Sequence, residues 1–359
     1  MEKERKHDGQ LDIYRSISMI YILCVIHVIY WLEIGSEPLK SILLIEMPII
    51  FFISGAAAKL SHKDNREFND VLLSRFKRVL LPYYIYALII ILIFLCLSIL
   101  PIDPFKKFHK LLDYNISDII SILLTYNIPY VPYVKHLWFI IPYFIISIST
   151  KFQLNMMKFI PKWIYITLNL FLICIMSYLF DILQIKEQGV LIDFAFRNIQ
   201  YIIGYNLFYI IGFFYYKQMT IKEILYCLII VICLYGVLGH FTLIPMQNHK
   251  SPIDEVFITY NLVTLCTLSL ILSFIKLPEN KFIKIWNTKG YTIYLYQNIV
   301  FYFVAPIIYR YQNLSSWITF ILAFILIFTI STCLSYFTYP LEKYIMNSLF
   351  NRTTKKNYI

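Results

Sequence analysis

Long apolar runs separated by short polar segments dominate the chain. Runs near the length of a membrane span occur at 11–33, 41–60, 80–100, 136–152, 162–181, 199–217, 221–241, 255–275, 290–309 and 316–338. A helix needs roughly 20 apolar residues to cross the hydrocarbon core of a bilayer. The pattern therefore predicts an all-α, polytopic membrane bundle of about ten transmembrane helices. The stretch 116–134 is apolar but short and rich in proline, and we interpret it as a lumenal or re-entrant segment.

The composition supports a membrane protein. Hydrophobic residues make up 59% of the chain and charged residues 15%, and the mean hydropathy is +0.67. A soluble domain has about 45–50% apolar and about 25% charged residues. We therefore expect one membrane domain over 1–359, with no appended soluble domain and no cleavable signal peptide. The seven cysteines are scattered without metal-ligand spacing, so we expect apolar fillers and no metal site.

The charge distribution predicts the orientation. The net charge is +11. If the N-terminus is cytoplasmic, most of the 32 lysines and arginines fall in cytoplasmic segments, as the positive-inside rule requires. We therefore expect both termini inside, in the cell (cytoplasmic) membrane. The basic excess then reflects contact with membrane lipids and predicts no nucleic-acid partner.

The first predicted span contains two ionisable residues, Arg15 and His27, within YRSISMIYILCVIHVIYW. Such groups cost several kcal/mol in a bilayer unless they have a partner. Arg15 is either a snorkelling arginine paired with Asp12 or a ligand-binding residue. His27 is either a neutral histidine bonded to a carbonyl or a general base or nucleophile.

The second predicted span returns toward the cytoplasm and begins near Glu46. This places Glu46 at about the depth of His27, so we predict an acid–base pair between neighbouring helices. Ser54 and Gly55 lie deeper, in a run of small residues. Such a run favours close helix packing, which is an alternative to a substrate-binding role for Ser54.

Two further groups of residues are candidates for binding. Arg75, Lys77 and Arg78 form a basic cluster just before the third span. They provide either ordinary cytoplasmic charge or a clamp for phosphates, which arginine binds in a bidentate manner. His136 and Trp138 open the fourth span at its outer end, where tryptophan is typical of an interfacial belt.

At these residues the sequence resembles the acyltransferase-3 family of integral membrane acyltransferases. The resemblance covers nearly the whole chain and depends on the order of short elements. The matching residues are Asp12, Arg15 and His27; Pro48, Phe51, Phe52, Ser54 and Gly55; Arg75, Arg78 and Pro82; Leu137, Trp138 and Phe139; and, as a partial match, YTIYLYQN from Tyr291 to Asn298.

The sequence departs from the family pattern at two places. Relatives have ten residues between the arginine and the histidine, and this chain has eleven. That extra residue changes their separation around an ideal helix from about 20° to about 120°. Either a π-bulge restores the register, or the two residues serve different levels of the membrane. Gln297 stands where relatives often have a second histidine, which puts such a role in doubt.

The resemblance implies transfer of an acyl group, commonly acetyl, from cytoplasmic acyl-CoA to a hydroxyl of a surface or lipid-linked carbohydrate. It leads us to expect catalytic His27 and Glu46, and acetyl-CoA as a consumed co-substrate. The residues expected to bind CoA are Arg15, Arg75, Lys77 and Arg78, and those expected to contact the substrate are Asp12, Ser54, His136, Trp138 and Tyr296. The alternatives are a polysaccharide exporter or flippase and a membrane glycan polymerase.

Overall fold

The structure is a computed structural model that describes residues 8–61, 67–101, 106–125, 128–183, 185, 190–241, 245–250, 253–278, 280–310 and 315–354. The helices are α1 Gly9–Trp31, α2 Glu37–Ile42, α3 Glu46–Ser61, α4 Phe68–Ser98, α5 Ile116–Ile120, α6 Ile140–Met156, α7 Lys162–Ile182, α8 Val190–Tyr215, α9 Ile221–Gly239, α10 Met246–Lys250, α11 Glu255–Phe274, α12 Lys281–Arg310 and α13 Ser316–Thr354.

The predicted class, an all-α polytopic bundle, is confirmed. Within the described ranges, nine helical segments are long and apolar enough to cross a membrane. The sixth predicted span, 199–217, lies mostly in helix α8 but is not among these nine. Gln200 and Asn206 are buried in that helix, and such polar side chains lower its mean hydropathy. The predicted orientation stays a prediction.

The chain divides into two compact units that are each discontinuous in sequence. The first unit comprises Met1–Arg66 and Ile145–Asn287, and the second comprises Glu67–Phe144 and Thr288–Ile359. The division falls within α6 and within α12. His27 and Glu46 therefore belong to the first unit, whereas the basic cluster at Arg75–Arg78 belongs to the second.

In the first unit, α3 packs closely along α8 because both helices have a glycine at the crossing. A Cβ added at Gly55 would overlap the carbonyl oxygen of Tyr209, and one added at Gly212 would overlap that of Phe52. This close approach is the packing role predicted for the small residues after Ser54. It fixes the helix that begins with Glu46.

Polar side chains cap the first turns of helices α11 and α9. The Asp254 side chain accepts a hydrogen bond from the Phe257 N–H at 2.9 Å and caps α11. Thr220 and Glu223 form a capping box at the start of α9. Such caps satisfy N–H groups that the first turn leaves unpaired.

In the second unit, tyrosines connect α4 to other elements. The Tyr83 hydroxyl donates to the Ile122 carbonyl at 2.8 Å, and the Tyr291 hydroxyl donates to the Val79 carbonyl at 2.8 Å. The third span begins earlier than predicted, at Phe68 rather than residue 80. The basic cluster therefore lies within a helix and not in the segment before it.

Candidate active site

The candidate site in the first unit is centred on His27 and Glu46. The His27 Nε2 atom lies 3.5 Å from Glu46 Oε2, and the two side chains are 6% and 4% exposed. His27 lies near the end of α1, and Glu46 is the first residue of α3. The predicted proximity of these residues is therefore present in the structure. The roles assigned to them stay predictions.

A π-helical turn, Ile22–Ile26, directly precedes His27. The His27 N–H donates to the Ile22 carbonyl, five residues back, as a π turn requires. A π turn accommodates one extra residue in a helix. The π turn thus compensates for the extra residue and brings the angular separation of Arg15 and His27 back toward about 20°.

Trp31 holds the plane of the His27 ring. The two rings stack in parallel, with centroids 4.3 Å apart and an interplanar angle of 5°. Because both residues lie one turn apart on the same helix, the contact depends only on local geometry. The imidazole is thus restrained by stacking on one side and faces a carboxylate at Nε2.

Lys250 is a third member of this cluster, and the sequence analysis missed it. Its ammonium group forms an ion pair with Glu46 Oε1, and the lysine side chain is 10% exposed. Burial lowers the pKa of Lys250, while the adjacent Glu46 carboxylate opposes that shift by favouring the ammonium form. From the sequence, Lys250 was one of several cations in outer segments, and no local signal marked it.

Short helices α2 and α10 place Lys250 beside Glu46. The Met246 N–H donates to Ser41 Oγ at 2.9 Å, which connects α10 to α2. Within α10, His249 Nδ1 lies 2.7 Å from Oδ2 of Asp254, which follows the helix, and this pairing raises the pKa of His249. These contacts fix the segment that carries Lys250.

Arg15 and Asp12 form the predicted pair, with Nη1 of the arginine 3.4 Å from Oδ1 of the aspartate. The Arg15 guanidinium also donates to Asn287 Oδ1 at 3.2 Å. The Arg15 side chain is 39% exposed. These contacts fit the snorkelling interpretation and also leave part of the guanidinium accessible to a ligand.

Ser54 is half-buried in the first unit, within α3.

In the second unit, Arg75 and Lys77 are half-buried and Arg78 is exposed. Lys77 and Arg78 lie in a second π turn, Phe76–Leu80. A π turn changes the angular spacing of successive side chains, so these two cations leave their helix in directions that sequence spacing alone does not give.

His136 is buried in the second unit and contacts the backbone at both ring nitrogens. Nδ1 lies 2.8 Å from the Tyr133 carbonyl oxygen, and Nε2 lies 3.2 Å from that of Tyr294. The Tyr294 hydroxyl donates to the His136 carbonyl at 3.0 Å. A neutral imidazole has a single N–H and can donate to only one of the Tyr133 and Tyr294 carbonyls, whereas an imidazolium can donate to both. In either form these contacts hold the ring against the backbone, and the predicted substrate contact of His136 stays a prediction. Trp138 is half-buried.

Tyr296 lies in a buried polar region of the second unit. Its ring meets that of Tyr86 edge-on, with centroids 5.1 Å apart. Nearby on α12, Thr292 donates to Glu342 Oε2 at 2.7 Å. Glu342 is buried and was not predicted, because one glutamate near the end of the last span resembles an interfacial residue. The substrate contact predicted for Tyr296 stays a prediction.

A separate cavity of about 550 Å³ opens in the first unit and contains none of the predicted site residues. Lys59 and Lys162 line it together with Phe214. The Lys162 ammonium lies 4.6 Å from the centroid of the Phe214 ring.

Across the described parts of the chain, no group of three or more His, Cys, Asp or Glu side chains could hold a metal ion.

The helices and the site together define a class. The chain is a multi-pass α-helical membrane protein with a buried histidine–carboxylate pair in its spans. The model of the acyltransferase-3 family, described as an acyltransferase domain, matches residues 8–340. The chain belongs to this family and is a membrane acyltransferase. No match was found to a curated protein or to a solved structure.

Proposed function

We propose that this acyltransferase moves an acetyl group from cytoplasmic acetyl-CoA to a hydroxyl of a surface or lipid-linked carbohydrate, in the cytoplasmic membrane. The observation that carries the proposal is the buried contact between His27 and Glu46, 3.5 Å apart. Paired ionisable groups inside a membrane protein are costly and are typical of functional sites.

In this mechanism His27 is the general base. It takes the proton of the acceptor hydroxyl, whose oxygen attacks the thioester carbonyl carbon. The carbon–sulfur bond then breaks, the acetyl group remains on the acceptor oxygen, and the CoA thiolate leaves and takes up the proton. Glu46 orients the imidazole and stabilises its positive charge while it holds the proton, and Trp31 restrains the ring plane.

The donor side of the proposal depends on the basic residues. Arg75, Lys77 and Arg78 bind the phosphates of CoA, because guanidinium groups recognise phosphate oxygens with paired hydrogen bonds. Arg15, held by Asp12 and Asn287, is a further phosphate-binding candidate. Ser54, His136, Trp138 and Tyr296 are the residues proposed to contact the substrate.

Ester-linked acetate on the surface glycans of the source organism tests the proposal. Wild type, a deletion strain and strains with His27→Ala or His109→Ala are compared by NMR at matched membrane levels. His109 is the control because it is exposed, on the 3₁₀ turn Lys107–Asp113. We expect the deletion and His27→Ala to lose acetate and His109→Ala to keep it.

Two other results would contradict parts of the proposal. If the deletion loses acetate and His27→Ala keeps it, the protein is the transferase but His27 is not its base. If acetate is unchanged in the deletion strain, the proposed donor or acceptor is wrong.

A further inference from the structure

We propose that Lys250 is a positioning residue of the transfer reaction, which neutralises Glu46 so that His27 stays uncharged and able to accept a proton. The inference rests on the proposed function, because it assigns Lys250 a part in that reaction. Its basis is the arrangement of two buried cation-forming side chains, His27 and Lys250, around one buried carboxylate, Glu46.

Glu46 contacts a different cation-forming group with each of its oxygens. Oε1 pairs with the Lys250 ammonium, and Oε2 lies 3.5 Å from His27 Nε2. All three side chains are at most 10% exposed. Water therefore screens these interactions little, and each charge strongly affects the other two.

The charge balance of the cluster follows from this arrangement. A single carboxylate balances a single positive charge in a poorly solvated site. Without Lys250, Glu46 would favour the imidazolium form of His27, and an imidazolium cannot act as a base. With Lys250 present, the carboxylate is already paired with a cation, so it favours the imidazolium of the resting His27 less strongly, and Glu46 Oε2 still lies near enough to His27 to orient the ring and to stabilise the proton taken from the acceptor.

Other titratable groups lie on the elements packed around this cluster. On and after α10, His249 pairs with Asp254. Three tyrosine hydroxyls donate to backbone carbonyls of the α2 region: Tyr21 to Leu43, Tyr30 to Lys40 and Tyr260 to Ile42. The remaining charged side chains of these elements are Asp12 and Arg15 on α1, Glu37 and Lys40 on α2, Lys59 on α3 and Glu255 on α11. Glu255 Oε2 is buried and has no hydrogen-bond partner in the described part of the chain. Among the ion pairs of the described residues, the one that reaches Glu46 Oε1 comes from Lys250.

The first measurement is the pH dependence of transfer. Membranes of the deletion strain carrying each variant receive radiolabelled acetyl-CoA, and alkali-labile label in the endogenous glycan is counted. For Lys250→Met we expect the acid limb of the pH–rate profile to move up by about 1–3 pH units. Lys250→Arg keeps the charge and is expected to leave the limb in place. Lys40→Met, in a partly exposed lysine of α2, is the matched control.

The double variant Glu46→Gln with Lys250→Met distinguishes the effect of the Lys250 charge from the effect of losing its side-chain packing. It removes the carboxylate as well as the ammonium, so the limb is expected to return toward lower pH than in Lys250→Met. A Lys250→Met enzyme that loses rate with its acid limb unmoved would have lost only structure, and the proposal would be overturned.

An NMR titration of His27 makes the test independent of activity. Purified protein labelled with ¹⁵N-histidine is titrated in lipid nanodiscs, and His27→Gln assigns the signal. We expect the imidazolium signal of His27 to persist to higher pH in Lys250→Met than in wild type. If wild-type membranes transfer no acetate but this shift occurs, the proposed substrates are wrong and the charge effect of Lys250 stands. An unchanged titration overturns the inference whatever the activity.

Discussion

His27 and His136 are equally buried, each at 5% exposure, but they differ in what their rings contact. His27 faces the Glu46 carboxylate and stacks on Trp31. His136 faces two backbone carbonyl oxygens and packs against Tyr294. A carboxylate partner can stabilise a positive charge on the ring during a reaction, whereas carbonyl partners hold the ring in place. The partners of a buried histidine, rather than its burial, therefore indicate whether it can do acid–base chemistry.

Substitution of each histidine by glutamine should give the largest difference in transfer rate between the two sites. We expect His27→Gln to reduce the transfer rate by about 10²–10⁴-fold, the usual contribution of a general base. The measurement is the initial rate of acetyl transfer per folded molecule, with His109→Gln as control. An equal loss in His136→Gln would show that the difference in ring partners does not separate chemistry from structure.

Removing the carboxylate should be the next largest effect. Glu46→Gln leaves the buried Lys250 ammonium without its counter-charge, and we expect a loss of about 3–5 kcal/mol of unfolding free energy. Thermal or denaturant unfolding in detergent micelles measures it. Adding Lys250→Met to Glu46→Gln should recover much of the loss. Failure to recover would show that the two side chains are not coupled.

His136→Gln should mainly affect stability. It removes the imidazole that contacts the Tyr133 and Tyr294 carbonyl oxygens, and an unsatisfied buried polar group costs about 1–3 kcal/mol. We expect the unfolding free energy to fall by that amount, while transfer per folded molecule changes less than in His27→Gln. Parallel unfolding and rate measurements on the same preparation check this. Unchanged stability would contradict the structural role.

His249 extends the comparison to a more exposed histidine that also has a carboxylate partner. Asp254 raises the pKa of His249 above its usual value. The stabilisation is therefore fully present below about pH 6.5 and is lost as the pH rises through the raised pKa. We expect the unfolding temperature of His249→Gln to vary slightly less with pH than that of wild type, measured between about pH 6 and 9. If the unfolding temperature changes equally with pH in wild type and in His249→Gln, the pH dependence does not come from the His249–Asp254 pair.

Part of the candidate site was predictable from the sequence because its signals are local or depend on membrane depth. Opposite directions of the first two spans placed Glu46 near the level of His27, and the structure places the two side chains in contact. The extra residue before His27 suggested a π-bulge, and a π turn is present at Ile22–Ile26. The Asp12–Arg15 pair followed from a spacing of three residues in a helix.

Lys250 and the environment of His136 were not predictable in the same way. Lys250 lies 204 positions after Glu46 in the chain, so no spacing rule connects them. His136 and Trp138 are two residues apart, and the sequence places both at the outer end of the fourth span. Only the packing around them shows that both ring nitrogens of His136 face backbone carbonyl oxygens.

The sequence by itself determined the class of protein, because apolar runs of span length have no other stable solvent than lipid. It also determined the helices, since every backbone polar group in a bilayer must be satisfied within the helix. The tertiary structure alone decided which charges meet. Glu46 acquires Lys250 as a partner because α10 is held against α2, and such long-range contacts depend on packing rather than on periodicity.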